Sequence, residues 1–368
     1  MDPAITDPIR RAVLRPFLKW AGGKRQLLPA LRLRYPATFE RYVEPFLGSG
    51  AVFFDLYGSG RLNGRRVMLA DCNPDLIGCY QALRDHTEAV IAALEALEAD
   101  HRRRGSECYY DVRDRRFNPL RQSAVGSGQS AGNPDAVGPS PTAHCPLPSA
   151  YCLLPADYSP ELAAMFIYLN RTGFNGLFRL NHSGAFNVPA GRYVNPRVCD
   201  APHLRAAAAA LRMRGLTLTL SSFEDAIGQA RTGDFVYCDP PYAPLSRTSL
   251  FAHYTAGGFT MADHRRLHTA VVGAVERGAV VVLSNSSAPE IVTLYSTRDG
   301  RHARLRIERV KARRAINSQA TRRGPIDELI ITSIAAGRRG DATETPRRTR
   351  PALRMAKMEG GRRRTRSA

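Results

Sequence analysis

Short apolar runs alternate with stretches of helical spacing along most of this chain. Tyr42-Val43-Glu44-Pro45-Phe46, Val67-Met68-Leu69-Ala70, Leu216-Thr217-Leu218-Thr219-Leu220, Phe235-Val236-Tyr237-Cys238 and residues 280–284 are bounded by turn signals, the mark of buried strands. Residues 304–312 and 327–334 read as a final strand pair. Helical spacing separates these runs. Leu27, Leu28 and Leu31 share one face, Ala51-Val52-Phe53-Phe54 opens a second helix, and residues 86–104 place Val90, Ile91, Leu94 and Leu97 together. Ser159-Pro160-Glu161 starts another, with Ser as cap, Pro at the first position and Leu162, Met165, Phe166 and Leu169 as its stripe. Residues 200–214 form an Ala-rich helix closed by Gly215. Thr260 caps a helix that buries Leu267, Val271, Ala274 and Val275 and ends at Gly278. Strands alternating with helices predict an α/β fold with a Rossmann-like sheet.

Three stretches break the pattern. Residues 1–15 read as an extended arm, 121–158 as a flexible insertion rich in Gly, Ser, Pro and Ala, and 337–368 as a disordered basic tail. With 368 residues, 43% of them hydrophobic, the chain has enough material for one large or two modest cores. The net charge of +20 points to an acidic polymer as partner. Residues 338–368 hold eleven Lys/Arg against three Asp/Glu, so +12 remains on the rest and the body is basic in its own right. No run approaches the roughly 18 apolar residues of a membrane span, and Arg10, Arg11 and Arg15 interrupt any signal-like segment. Seven scattered cysteines without a Cys-x-x-Cys pair fit reduced thiols, so a cytoplasmic, metal-free protein is expected.

The chemistry gathers at strand ends. Asp239-Pro240-Pro241-Tyr242 follows the run 235–238 directly, at the carboxyl edge where open α/β sheets bind ligands. Two prolines cannot continue a ladder, so they leave a stiff turn with outward carbonyls beside one carboxylate and one flat ring. Such a turn can accept two hydrogen bonds from an amino group while stacking on a planar base. The alternative is an ordinary strand-ending turn. Earlier, Leu47-Gly48-Ser49-Gly50 joins a strand to a helix, and the next strand ends at Asp71, 21 residues after Gly50. Glycines admit a ligand to the backbone, and an acid at the second strand's end suits ribose hydroxyls. The third glycine of a dinucleotide loop is missing, since position 53 is Phe, which favours S-adenosylmethionine over NAD. The rival reading has Asp71 capping a helix ahead of Asn73-Pro74. Gly22-Gly23-Lys24 is no phosphate loop, because Leu18 and Arg25 stand where Gly and Ser/Thr are required. It remains a glycine turn carrying the single Trp20 and a lysine. Residues 170–181 mix amides, arginines, glycines and apolar groups, and 184–192 continue like a hairpin with a basic tip at Arg192. Arg forks onto guanine and Asn onto adenine, while Phe or Leu wedges between bases. A structural loop is the alternative.

Taken in order, Trp20-Ala21-Gly22-Gly23-Lys24, Glu44-Pro45-Phe46-Leu47-Gly48-Ser49-Gly50, residues 170–179 and Asp239-Pro240-Pro241-Tyr242 resemble the Dam-type DNA adenine methyltransferases over about residues 17–335. The resemblance implies a seven-stranded S-adenosylmethionine-dependent methyltransferase sheet with a small, mostly helical recognition domain and hairpin. By that pattern, residues 1–75 and 194–336 form the catalytic domain and 76–193 the recognition domain. It implies that Trp20, Lys24, Asp71 and Asp239 contact the cofactor while Gly48 and Gly50 shape its pocket. Asp239, Pro240 and Tyr242 would act on an extruded adenine. Phe174 would wedge into the duplex, with Asn175, Leu177, Arg179, Asn181 and Arg192 on DNA and Arg179 reading guanine within GATC. The expected partner is double-stranded DNA, bound by a monomer. Methylation of RNA or of cytosine N4 shares the same logic, and an inactive DNA-binding regulator on this fold is a further alternative.

Overall fold

The computed structural model describes residues 14–20, 23–126, 158–243, 259–297, 300, 303–313 and 325–334. The arm up to residue 13, positions 127–157 of the expected insertion and the basic tail lie outside them. Along the chain the elements are α1 (Leu28–Arg32), β1 (Arg41–Glu44), α2 (Ala51–Gly58), β2 (Arg66–Asp71), α3 (Pro74–Asp85), α4 (Thr87–Arg104) and α5 (Ser106–Asp111). A π-helical turn, Val112–Phe117, leads into α6 (Asn118–Gly126), followed by α7 (Pro160–Thr172), α8 (Ala201–Leu211), β3 (Leu216–Leu220), α9 (Phe223–Gly228) and β4 (Asp234–Cys238). Then come α10 (Met261–Glu276), β5 (Val280–Ser286), α11 (Pro289–Tyr295), β6 (Arg306–Arg313) and β7 (Pro325–Thr332).

The seven expected strands form one sheet in the order β3-β2-β1-β4-β5-β7-β6. The first five are parallel, and β7 runs antiparallel to both β5 and β6. Side chains alternate between faces with a period of two. Tyr42, Leu69, Phe235, Tyr237 and Ile330 join a core with α2, α3, α4, α7 and α8, whereas Val43, Ala70, Val236, Cys238 and Leu329 join a second core with α9, α10 and α11. The result is three layers, with the sheet in the middle and both its faces covered.

The caps follow the sequence. Ser159 accepts from the Leu162 amide, and Thr260 forms a capping box with Asp263. Of the expected insertion, residues 121–126 continue α6, and Arg121 is buried in an ion pair with Asp75 at 2.8 Å. Tyr158 packs onto Gly78, where a Cβ would sit 2.4 Å from its ring. The stretch 179–187 turns back at residues 181–184, through Gly184 N–H to Asn181 O and the Leu180–Phe186 bridge, so Arg192 is well past the turn. No described helix is long and apolar enough to cross a membrane.

Candidate active site

The sheet order reverses between β1 and β4, which opens a crevice at their carboxyl ends. Glu44, Asp71 and Asp239 stand at the ends of β1, β2 and β4, and Ser284–Ser286 end β5. Because β7 runs the opposite way, its beginning lies at this same edge, and Glu328 pairs with Ser286.

Asp239 is held from two sides. Lys24 Nζ lies 2.8 Å from its Oδ1, and the Ser284 hydroxyl donates to the same oxygen at 2.8 Å. Among the described residues, no hydrogen bond falls on Oδ2. Burial pushes the Asp239 carboxyl above the usual carboxylate range, against the pull of Lys24 and Ser284. Lys24 is nearly buried and lies 4.2 Å over the Tyr242 ring, whose hydroxyl donates to Glu328 at 2.8 Å. Burial and the charges of Asp239 and Glu328 keep that phenol neutral. The turn is stapled to β5, since Ser286 Oγ donates to the Ala243 carbonyl at 2.7 Å.

The glycine loop is tied to the second acid. Asp71 accepts the Gly48 amide on Oδ2 and the Asn73 amide on Oδ1, both at 3.0 Å. The cap of α3 is Asn73, which accepts from Asp75 and Leu76, so the expected alternative role of Asp71 as that helix's cap falls to its neighbour. Gly50 begins α2 with a φ of +65°, a conformation that favours glycine. At Gly48 a Cβ would lie 2.9 Å from Trp20 Cδ1, so only glycine lets the indole rest on the loop. Trp20 in turn stacks on Phe178 at 6.0 Å and meets Phe166 at 6.4 Å, joining the glycine loop to the segment 170–181.

That segment is pinned from beneath. Asn170 is buried; its side chain bonds the Lys19 amide and carbonyl at 2.8 and 2.6 Å and the Gly176 carbonyl at 3.0 Å. Phe174 is half exposed, Asn175 sits at φ +55°, and Arg179 and Arg192 are exposed. Arg179 donates to the Asn187 side chain at 2.8 Å, and the Asn181 oxygen caps its own turn by accepting from Ala185. Leu177 is half-buried against the core.

Several groups at this edge escaped sequence reasoning. Glu44 is buried, accepts the Tyr42 hydroxyl at 2.9 Å, and has its pKa driven well up by burial and by Asp239 and Asp71. Its place in Glu44-Pro45-Phe46 was the available signal. Phe46 stacks on Phe223 at 5.3 Å just beyond the ends of β1 and β3. Ser284 and Glu328 carried none, because an ordinary Ser or Glu has no motif to mark it, and Asn170 stood in the run 170–179 with nothing to mark its buried role.

A parallel sheet with an antiparallel seventh strand, a glycine loop after β1 and an acid-Pro-Pro-Tyr turn after β4 defines the class as an S-adenosylmethionine-dependent methyltransferase. The chain matches the model of the D12 class N6 adenine-specific DNA methyltransferase over residues 20–316, and it belongs to that family. It is 35% identical to the Type II methyltransferase M1.LlaDCHI of Lactococcus lactis subsp. cremoris, over 87% of this chain and 95% of that protein. It is 34% identical to the DNA adenine methylase of Vibrio cholerae and 33% to that of Escherichia coli, over 86% of this chain and 95% and 94% of those proteins. The residues fit the cofactor's charge. The carboxyls of Glu44 and Asp239 are both raised by burial, and the charge of Asp239 raises Glu44 further, so a cationic group beside them would be favoured.

Proposed function

We propose that this DNA adenine methyltransferase modifies N6 of adenine within GATC in duplex DNA, after rotating the base out of the helix. One observation carries the reading: Asp239 has a single oxygen held by Lys24 and Ser284, in a turn that also presents the Tyr242 ring. The N6 amine is a poor nucleophile, because its lone pair is delocalised into the purine. Asp239 and the Pro240 carbonyl accept its two N–H bonds, which fixes the nitrogen and favours tetrahedral geometry. The carboxylate also stabilises the positive charge that grows there, so the rate gain comes from positioning and electrostatics. Tyr242 stacks on the extruded base, since the amine is out of reach inside the stack.

S-adenosylmethionine supplies an electrophilic methyl on its sulfonium. Trp20, Lys24, Asp71 and Asp239 hold the cofactor, with Gly48 and Gly50 keeping side chains out of its way. On the recognition side, Phe174 wedges between bases, Arg179 forks onto guanine, and Asn175, Leu177, Asn181 and Arg192 contact the duplex. Support comes from the exposure of Phe174, Arg179 and Arg192 beside a buried scaffold.

The test is a plasmid treated with the protein and S-adenosylmethionine, then challenged with restriction enzymes sensitive to methylation at GATC. Protection at every GATC is expected. Tritiated methyl incorporation with all GATC sites still cleaved rejects the target sequence. Absence of incorporation into DNA rejects the activity.

A further inference from the structure

We propose that Glu328 is a positioning residue for methyl transfer: by accepting the Tyr242 hydroxyl, it sets the plane of the ring that receives the extruded base. This rests on the reading of Asp239 and Tyr242 given above, and it explains why the aromatic of the motif keeps a hydroxyl. A stacking platform needs only a ring. Here the phenol, held neutral by burial and the nearby carboxylates, donates to Glu328 Oε2 at 2.8 Å.

The geometry is a three-point frame. The backbone just after Tyr242 is fixed to β5 by Ser286 Oγ on the Ala243 carbonyl. The ring has Lys24 Nζ over its face at 4.2 Å, and the hydroxyl is fixed to β7 by Glu328. Without the third point the ring is free to rotate about its Cα–Cβ and Cβ–Cγ bonds. Glu328 suits the task because it sits in a strand hydrogen-bonded on both sides, opposite Ser286 on β5 and Val310 on β6. Among the described residues it has no cationic partner, so no ion pair competes for its carboxylate. It has a second, electrostatic effect. Its charge raises the Asp239 carboxyl, which makes that group a stronger acceptor for the amine.

The experiment uses the full-length protein and a duplex with 2-aminopurine at the target position, whose fluorescence reports whether the base is stacked or free. Glu328→Ala is expected to lower kcat about tenfold, the size of one net hydrogen bond, with the KM for S-adenosylmethionine unchanged. The bound 2-aminopurine signal should rise as its stacking loosens. Glu328→Gln keeps an acceptor, so it should restore the fluorescence while the acidic limb of the pH–rate profile moves to lower pH. In a Tyr242→Phe background, Glu328→Ala should change the 2-aminopurine signal no further, because the bond it removes is already gone.

Wild-type kcat and fluorescence in Glu328→Ala overturn the proposal, as do additive fluorescence changes in the double variant. Loss of activity that Glu328→Gln does not rescue in the fluorescence channel overturns it too, since that marks a merely structural role. Asp239→Ala is the control for the underlying reading. If it is inactive while Glu328→Ala behaves as wild type, only the present inference fails; if Asp239→Ala turns over normally, the catalytic reading itself is wrong.

Discussion

Asp239 and Arg179 are both ionisable side chains, yet they are held by opposite means. Asp239 is one-fifth exposed, is gripped by Lys24 and Ser284, and opens a two-proline turn stapled to β5. Arg179 is exposed and donates to Asn187, in a loop with isolated strand bridges. The first arrangement suits chemistry, which needs a group already in place when charge develops. The second suits reading, in which an arginine gives up a weak local partner for a base edge. What joins them is packed: buried Asn170 and partly buried Trp20 tie the 170–181 segment to the Lys19 backbone and to Phe178, so the proposed reader stands on an anchored base.

The contrast can be broken at its strongest point first. Asp239→Ala should lower turnover by about 10³-fold or more, the range for removing a preorganised electrostatic group, while S-adenosylmethionine binding falls much less. A tritiated-methyl assay and equilibrium binding measure the two, and an active variant ends the account of catalysis. Asn170→Ala leaves the Lys19 amide and carbonyl and the Gly176 carbonyl without their partner. At about 1–3 kcal/mol for each group left buried and unsatisfied, urea unfolding should shift markedly and GATC discrimination should fall with it. An unchanged midpoint denies the clamp its role.

Arg179→Ala should relax discrimination at one guanine by about 1–3 kcal/mol and leave stability untouched, because the side chain is exposed. Competition between cognate and guanine-substituted duplexes reads this, and preserved selectivity moves the reader elsewhere. The smallest effect is the pH profile. In the proposed mechanism Asp239 acts ionised, and burial raises its pKa in the folded protein. Activity is therefore present above that raised value and is lost as pH falls through it, at a higher pH than an ordinary aspartate would give. A rate still flat throughout the ordinary carboxylate range contradicts this placement.

Much of this was legible beforehand, and the reason is local. All seven strands announced themselves as short apolar runs, and Thr260 and Ser159 marked their helices, because capping and period depend on neighbours in sequence. The motif residues Asp239, Pro240 and Tyr242 were legible for the same reason. The role of Asn170 was not: it sits among residues with the look of base readers, and only its burial under Lys19 and Gly176 separates a clamp from a reader. Leu177 likewise turned out half packed into the core.

The amino-acid order alone settled which segments are strands, that an acid and two prolines end one of them, and that the body is basic, since each depends on composition or on contacts within a few residues. It did not settle the sheet order, nor that β7 enters antiparallel and so brings Glu328 beside Tyr242, 86 residues away. Those depend on which strand edges meet, a choice made by the burial of two whole sheet faces at once. The partners of the Asp239 carboxylate, Lys24 and Ser284, come from distant parts of the chain, and only the folded sheet brings them within a hydrogen bond of it.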